Sequence, residues 1–270
     1  MELLNQNMQD ITQTDFSYKG AMKFAEEIGR ICYNSSDKIT DDSWKDFTNM
    51  LIKNKHYSPF GHVFLHIKTE PNSEAFEILN NLVDNYKGSS LRYVCGYEAS
   101  DSSAYWYWTI SMRLIVEYLN KKEQKIIFKC IDETADGQYE YQSSFLCTTS
   151  IAVTRELNRH GWNLNIMEKS TRYTECFDII KPYWYDSQKW YKKFLYRMTC
   201  KFAFINYMFL LKLGLKKQES RGVLPLDTAT QVIYTALNYQ WKDIFDKRLV
   251  SGAHPDCRKL VSLIYENINF

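Results

Sequence analysis

RHGWNLNIMEKSTRY, residues 159–173, places two arginines (Arg159, Arg172), a histidine (His160), a glutamate (Glu168) and two hydroxyls (Ser170, Thr171) within fifteen positions. It follows SSFLCTTSIAVTRELN (143–158), which reads as a strand turning helical by Thr149. Arginine supplies planar forks suited to phosphate or to a flavin or pyrimidine carbonyl. A serine with backbone amides can complete a phosphate cradle, and histidine adds a titratable partner. A solvated loop after a helix is the plainer account of such a composition. The scarcity of arginine weighs against it: only ten of the 34 basic residues are arginine, and five of them (155, 159, 172, 221, 248) fall in segments 143–173 and 218–248.

Composition bounds the rest. The chain has 270 residues, and 34 Lys+Arg against 32 Asp+Glu leave a formal charge of +2, which argues against a broad nucleic-acid face. With 45% hydrophobic residues, a sizeable core is available and disorder is not expected. The seven cysteines are scattered with no CxxC, so no zinc ribbon is expected. Scattered thiols and a polar N-terminus imply a reduced, cytoplasmic protein, or a host cytoplasm for a viral chain. The longest near-apolar stretch, Phe202 to Leu211, is ten residues, half of what a bilayer span needs. No repeat or Gly/Ser linker divides the chain, which reads as one domain over 1–270.

Apolar spacing predicts a helix over 17–35 and another over 40–54 capped by Thr40 or Asp41. Pro59 and Gly61 mark a turn, with a strand over 63–68. Helices are expected at 73–86 and 105–120, and a strand near 126–132. A long aromatic-rich helix over 187–213 stops at Gly214. A last helix is expected from Asp227-Thr228 to Lys247.

Two further stretches carry chemistry. HYSPFGH (56–62) sets His56 and His62 around a proline, but no HExxH or paired Cys/His spacing completes a metal site, so none is expected. Read alone it is a turn leading into a strand. QESRGVLPLDTATQVIYTALNYQWKDIFDKR (218–248) and the following SGAHPDCRK bring Arg221 just before Pro225 and Arg248 at a helix end. At Arg248 a dipole-stabilising role and a ligand role stand about level.

Together these blocks resemble the flavin-dependent thymidylate synthase family (the ThyX type). Its RHR…S-x-R-Y hallmark is matched by Arg159-His160 and by Ser170, Arg172 and Tyr173, with Glu156 upstream. Its H-x-[ST]-P-[FL]-E-H turn is matched by His56, Ser58, Pro59, Phe60 and His62. Its A-R-x-V-L-P segment is matched by Arg221, Val223, Leu224 and Pro225, and its W…R…AHP pattern by Trp241, Arg248, Ala253, His254 and Pro255. The resemblance implies an α+β, single-domain fold of mixed sheet and long helices, with 69–145 as a helical insertion. It also implies a homotetramer that methylates dUMP at C5, using methylenetetrahydrofolate and NADPH through bound FAD. Glu156, Glu168, Ser170, Arg172, Arg221 and Arg248 would hold the nucleotide, with Ser170 and Arg172 the catalytic candidates. Ser58, Arg159, His160, Gly161 and His254 would lie at the flavin.

The departures fall on the flavin side. Gly161 replaces the third residue of RHR, Gly61 replaces the turn's glutamate, and the run from Arg159 to Ser170 is one residue longer than usual. Asp243 stands where a neutral polar residue is commoner. Each lost charge-assisted contact is worth ~1.5–3 kcal/mol. Two alternatives therefore accompany dUMP methylation: the same fold with altered pyrimidine-nucleotide chemistry, or a non-catalytic nucleotide or single-strand binder, the latter disfavoured by near-neutral charge.

Overall fold

The computed structural model describes residues 1–86, 94–98, 105–134, 139–161, 163–170 and 177–268. The first half runs β1 (Leu3–Leu4), β2 (Asn7–Asp10), α1 (Tyr18–Cys32), α2 (Ser43–Lys53), β3 (Phe64–Thr69), α3 (Glu74–Tyr86), β4 (Val94–Glu98), β5 (Trp106–Ser111), α4 (Met112–Tyr118) and α5 (Lys121–Phe128). The second half runs β6 (Gln142–Ser150), α6 (Ile151–Leu157), β7 (Asn165–Glu168), β8 (Ile179–Ile180), α7 (Trp190–Lys212), α8 (Lys217–Ser220), β9 (Ala229–Leu237), α9 (Asn238–Arg248) and α10 (Pro255–Tyr265). The fold is α+β.

The antiparallel sheet β2-β6-β9-β7 is the platform, built on a nine-residue register from Gln142↔Leu237 to Ser150↔Ala229. Side chains alternate across it. Leu146, Met167 and Ile233 face a core shared with α1, α2, β3 and β5. Phe145, Cys147, Val232 and Tyr234 face a second core closed by α6, α9 and α10. Strands buried on both faces lack a polar side, and that explains the largest surprise. The expected helix from 227 to 247 is a strand over its first half, because Thr230, Val232, Ile233 and Thr235 favour the pleated sheet that buries them.

Other boundaries moved for local reasons. The expected helix at 105–120 begins as β5, whose aromatic and β-branched run pairs with β3 and β4, and turns helical only at Met112. The expected strand at 126–132 is instead the end of α5, nucleated by a reciprocal capping box between Asn120 and Glu123. Only Ile131 keeps a bridge, to Ile67. The helix expected from Thr40 or Asp41 starts at Ser43, because the Ser43 hydroxyl accepts from the Thr40 amide and donates to Glu26. α10, with Pro255 and Asp256 in its first turn, was not anticipated. The long aromatic helix does end before Gly214, which takes a φ of 93°. The segment 69–145 holds α3–α5 but also β4 and β5.

Two histidines are buried within this frame. His62 Nδ1 lies 2.8 Å from Thr235 Oγ1, which donates to Ser144 Oγ at 2.8 Å. Burial pushes the His62 pKa down to about 3. His66 is stacked between Phe16 and Tyr139, each centroid 4.1 Å away, and burial lowers it to about 4 against the opposing effects of Asp132 and Thr134. In the unfolded chain both imidazoles take a proton near ~6.5. The unfolded state therefore binds more protons between that value and the folded pKa values. Stability is complete above pH ~6.5 and falls as the pH drops toward 4. The expected loss by pH 4.5 is on the order of 3 kcal/mol from His62 alone. Urea midpoints should show it, and His62→Asn should flatten the dependence; equal slopes in both proteins would contradict it.

Candidate active site

Strand β6 passes directly into α6 at Ser150, whose hydroxyl accepts from the Val153 amide at 3.2 Å. That junction sets Arg155 on the first side of a cavity of about 670 Å³. β7 supplies Glu168 from its last position, followed by Lys169 and Ser170, and the 3-10 turn Arg221–Val223 supplies Arg221 opposite. Ile151 and Pro225 are apolar wall. Three cationic side chains, a hydroxyl and a single carboxyl thus surround one space.

The carboxyl is held under strain of solvation. Burial raises the Glu168 pKa, even though Thr230, Thr154 and Asn158 hydrogen-bond to it and Arg155 adds a favourable charge. The Thr154 hydroxyl donates to Glu168 Oε1 at 3.3 Å. Lys169 is steered by its amide, which donates to the Gln231 carbonyl at 2.8 Å, and by Nζ, which donates to Asn34 Oδ1 at 2.8 Å.

A second cluster sits behind α6. From the last residue of α9, Arg248 Nε donates to His160 Nε2 at 2.7 Å. Its Nη1 donates to Glu156 Oε2 at 3.0 Å and its Nη2 to the Glu156 carbonyl at 2.7 Å. Arg159 reaches the other Glu156 oxygen at 3.2 Å, with its side chain 68% exposed against 15% for Arg248. Because Nε2 accepts, the neutral His160 ring carries its hydrogen on Nδ1. Burial lowers the His160 pKa, and Arg248 and Lys247 lower it further against Asp243. The unusual Asp243 also has a partner here: Asn163 Nδ2 donates to its Oδ2 at 2.6 Å, and Lys247 pairs with it at 2.7 Å.

The structure therefore brings Glu168, Ser170 and Arg221 to one cavity, and Glu156, Arg159, His160 and Arg248 to an adjoining network. Ser58 begins the 3-10 turn Ser58–His62, and His254 precedes α10 with its ring edge-on to Tyr183 at 6.1 Å. Arg172 lies outside the described residues, as do Thr171 and Tyr173. Gly161 and Gly61 differ sharply. Among the described residues, a Cβ on Gly161, whose φ is −56°, meets only the Asn158 carbonyl at 3.5 Å, whereas one on buried Gly61 meets Asn165 Oδ1 at 3.3 Å. Arg155 and Lys169 had no assigned role from the sequence; the available signal was arginine scarcity for Arg155 and adjacency to Glu168 for Lys169. Among the described residues no group of three or more His, Cys, Asp or Glu is placed to hold a metal ion. No helix among them is long and apolar enough to cross a membrane.

Residues 108–269 match the sequence model of the thymidylate synthase complementing proteins, and the chain belongs to that family. The motif resemblance pointed to the same family. Among solved structures, the chain is similar to a UMP/dUMP methylase, PolB from Streptomyces cacaoi, solved with 5-Br dUMP. The identity is 15%, with 98% of this chain and 91% of that chain covered and a TM-score of 0.45. No curated protein sequence matches the chain.

Proposed function

We propose that this protein binds dUMP in the cavity between α6, β7 and the Arg221 turn, and methylates its C5 as a flavin-dependent thymidylate synthase. The observation that carries this reading is the convergence of Arg155, Lys169, Ser170 and Arg221 on one cavity that also holds a buried carboxyl. A phosphate dianion suits arginine forks and a hydroxyl, and a pyrimidine ring suits a few fixed donors and acceptors. In this reading Ser170, Arg172 and Arg221 hold the phosphate, and Arg155 and Lys169 add charge beside them. Glu168, whose pKa burial raises, faces the ring edge. Glu156 and Arg248 keep their nucleotide-side assignment, and they act as a paired unit that also fixes the His160 ring.

The chemistry of the remaining donors fits FAD. Arg159 offers an exposed guanidinium, His160 an Nδ1 hydrogen, and Ser58 and His254 further polar groups at the start of the Ser58–His62 turn and just before α10. Bound FAD would supply the redox chemistry, with NADPH as the reductant and methylenetetrahydrofolate as the source of the one-carbon unit. The chain's own part is to orient nucleotide and flavin and to hold the His160 proton on Nδ1. A homotetramer, with flavin sites completed by neighbouring subunits, belongs to the same reading. So do the single domain with 69–145 inserted and a cytoplasmic location, the last supported by five free cysteines among the described residues.

The test is the absorbance of purified protein with FAD, followed by tritium release from C5-labelled dUMP with methylenetetrahydrofolate and NADPH. Flavin binding with nucleotide-dependent NADPH oxidation but no dTMP would indicate altered pyrimidine chemistry. No flavin uptake together with salt-sensitive oligonucleotide binding would indicate the non-catalytic reading. Gly161→Arg is expected to tighten FAD binding roughly tenfold, because a Cβ there meets only ordinary contact with the Asn158 carbonyl among the described residues and the variant regains a charge-assisted contact. Flavin fluorescence quenching reads it, and unchanged or weaker binding would show that the longer loop has reshaped the site.

A further inference from the structure

Helix α1 ends in a two-bond backbone cap. The Asn34 amide donates to the Ile31 carbonyl at 3.2 Å, and the Ser35 amide donates to the Arg30 carbonyl at 2.9 Å. Such a cap turns through one left-handed residue, most often glycine, which has no Cβ to strain. Here that residue is Asn34, with a φ of 52°. Asparagine tolerates this region better than most residues, yet glycine would sit there more easily. The turn is also pinned beside it: the Tyr33 hydroxyl lies 3.2 Å from His56 Nδ1, and the Tyr33 ring is edge-on to Phe47. The backbone is therefore held without help from the Asn34 side chain.

That side chain reaches the wall of the candidate nucleotide cavity instead. Asn34 Oδ1 accepts from Lys169 Nζ at 2.8 Å, across 135 positions of sequence. Lys169 lines the cavity, and its backbone is fixed where its amide donates to the Gln231 carbonyl. Beyond the backbone, only a flexible four-carbon stem places the ammonium, and ordering such a stem carries one of the larger side-chain entropy costs. An ammonium has three hydrogens; Asn34 takes one and leaves two for a ligand. Because an amide carries no charge, it holds the ammonium without neutralising it. A left-handed residue that is not glycine is thus accounted for by what its side chain does at the cavity.

We propose that Asn34 is a positioning residue of the nucleotide site: its side-chain carbonyl holds the Lys169 ammonium extended and still charged on the cavity wall, ready for the ligand's phosphate. The proposal rests on the dUMP reading above and adds to it a residue that no motif of the sequence marks.

The test is calorimetric titration of dUMP into wild-type protein, Asn34→Gly, Asn34→Asp, Lys169→Ala and the double variant Asn34→Gly/Lys169→Ala. Glycine suits the turn, so the urea midpoint of Asn34→Gly should equal or exceed that of wild type. Its dUMP affinity should nevertheless fall roughly three- to tenfold, because the ligand must then order the ammonium itself. Asn34→Asp keeps the shape but pairs with the ammonium, and should weaken dUMP at least as much. With Lys169 already replaced by alanine, removing the Asn34 side chain should change nothing further. A stable Asn34→Gly protein that binds dUMP as tightly as wild type overturns the proposal. So does an aspartate variant of wild-type affinity, or an equal loss from Asn34→Gly with and without Lys169. If such a result comes with a weakened Arg221→Ala protein, only the role of Asn34 falls. An Arg221→Ala protein of wild-type affinity removes the cavity as the nucleotide site as well, and wild-type protein that takes up no dUMP overturns both.

Discussion

Arg221→Ala is expected to weaken dUMP binding roughly 10- to 100-fold without unfolding the protein. The guanidinium stands on the short turn Arg221–Val223, whose preceding Ser220 is buried and donates to the Lys216 carbonyl at 3.2 Å. The backbone there is held independently of the side chain. A charge-assisted bond to phosphate contributes about 1.5–3 kcal/mol, and 1.4 kcal/mol is tenfold in affinity. Arg221→Lys keeps the charge but loses the fork, so an intermediate loss is expected. Calorimetric titration with dUMP at fixed salt measures both. An affinity unchanged in the alanine variant would remove this cavity as the nucleotide site.

Arg248→Met should act on the adjoining network through stability as well as binding. Arg248 makes three hydrogen bonds, and its removal leaves a part-buried Glu156 with the exposed Arg159 as its one ionic partner among the described residues. Breaking such a pair while stranding its carboxylate costs about 2–3 kcal/mol here, at the low end for buried pairs because Glu156 keeps some solvent. The midpoint of urea unfolding reads that loss. His160 gives an independent readout. Arg248 lowers its pKa, after burial, so the imidazole should titrate at higher pH in the variant. An imidazole titration that does not move would mean that Arg248 and His160 are not joined in solution.

Much of this was legible from local signals. Ser17 capping α1, the Pro59 turn before β3, the passage of β6 into α6, and Gly214 closing α7 each carry their instruction within a few residues. β5 and β9 were not legible, because strands buried on both faces show no alternation, and a run such as ATQVIYTAL fits a helix equally well until its partners are known. The site divides in the same way. The residue types at Glu168, Ser170 and Arg221 suggested a binding site, and the structure sets all three around one cavity. The pairing of Arg248 with Glu156 spans 92 positions and leaves no local trace, and the dipole and ligand roles weighed for Arg248 missed its histidine bond. Asp243 looked like a simple departure until its bond to Asn163 showed it tying the arginine loop to α9.

The chain of hydroxyls behind His62 has a spectroscopic consequence. Thr235 has one hydroxyl hydrogen and gives it to Ser144, so the short contact with His62 must be made by a hydrogen on Nδ1. That hydrogen lies where the Ser58–His62 turn packs on β9, on a residue 1% exposed. It can trade with solvent deuterium only when that turn lifts from the sheet or the sheet itself opens. A slowly exchanging imidazole N–H resonance should therefore be visible in the folded protein, and its lifetime would clock the opening of this turn.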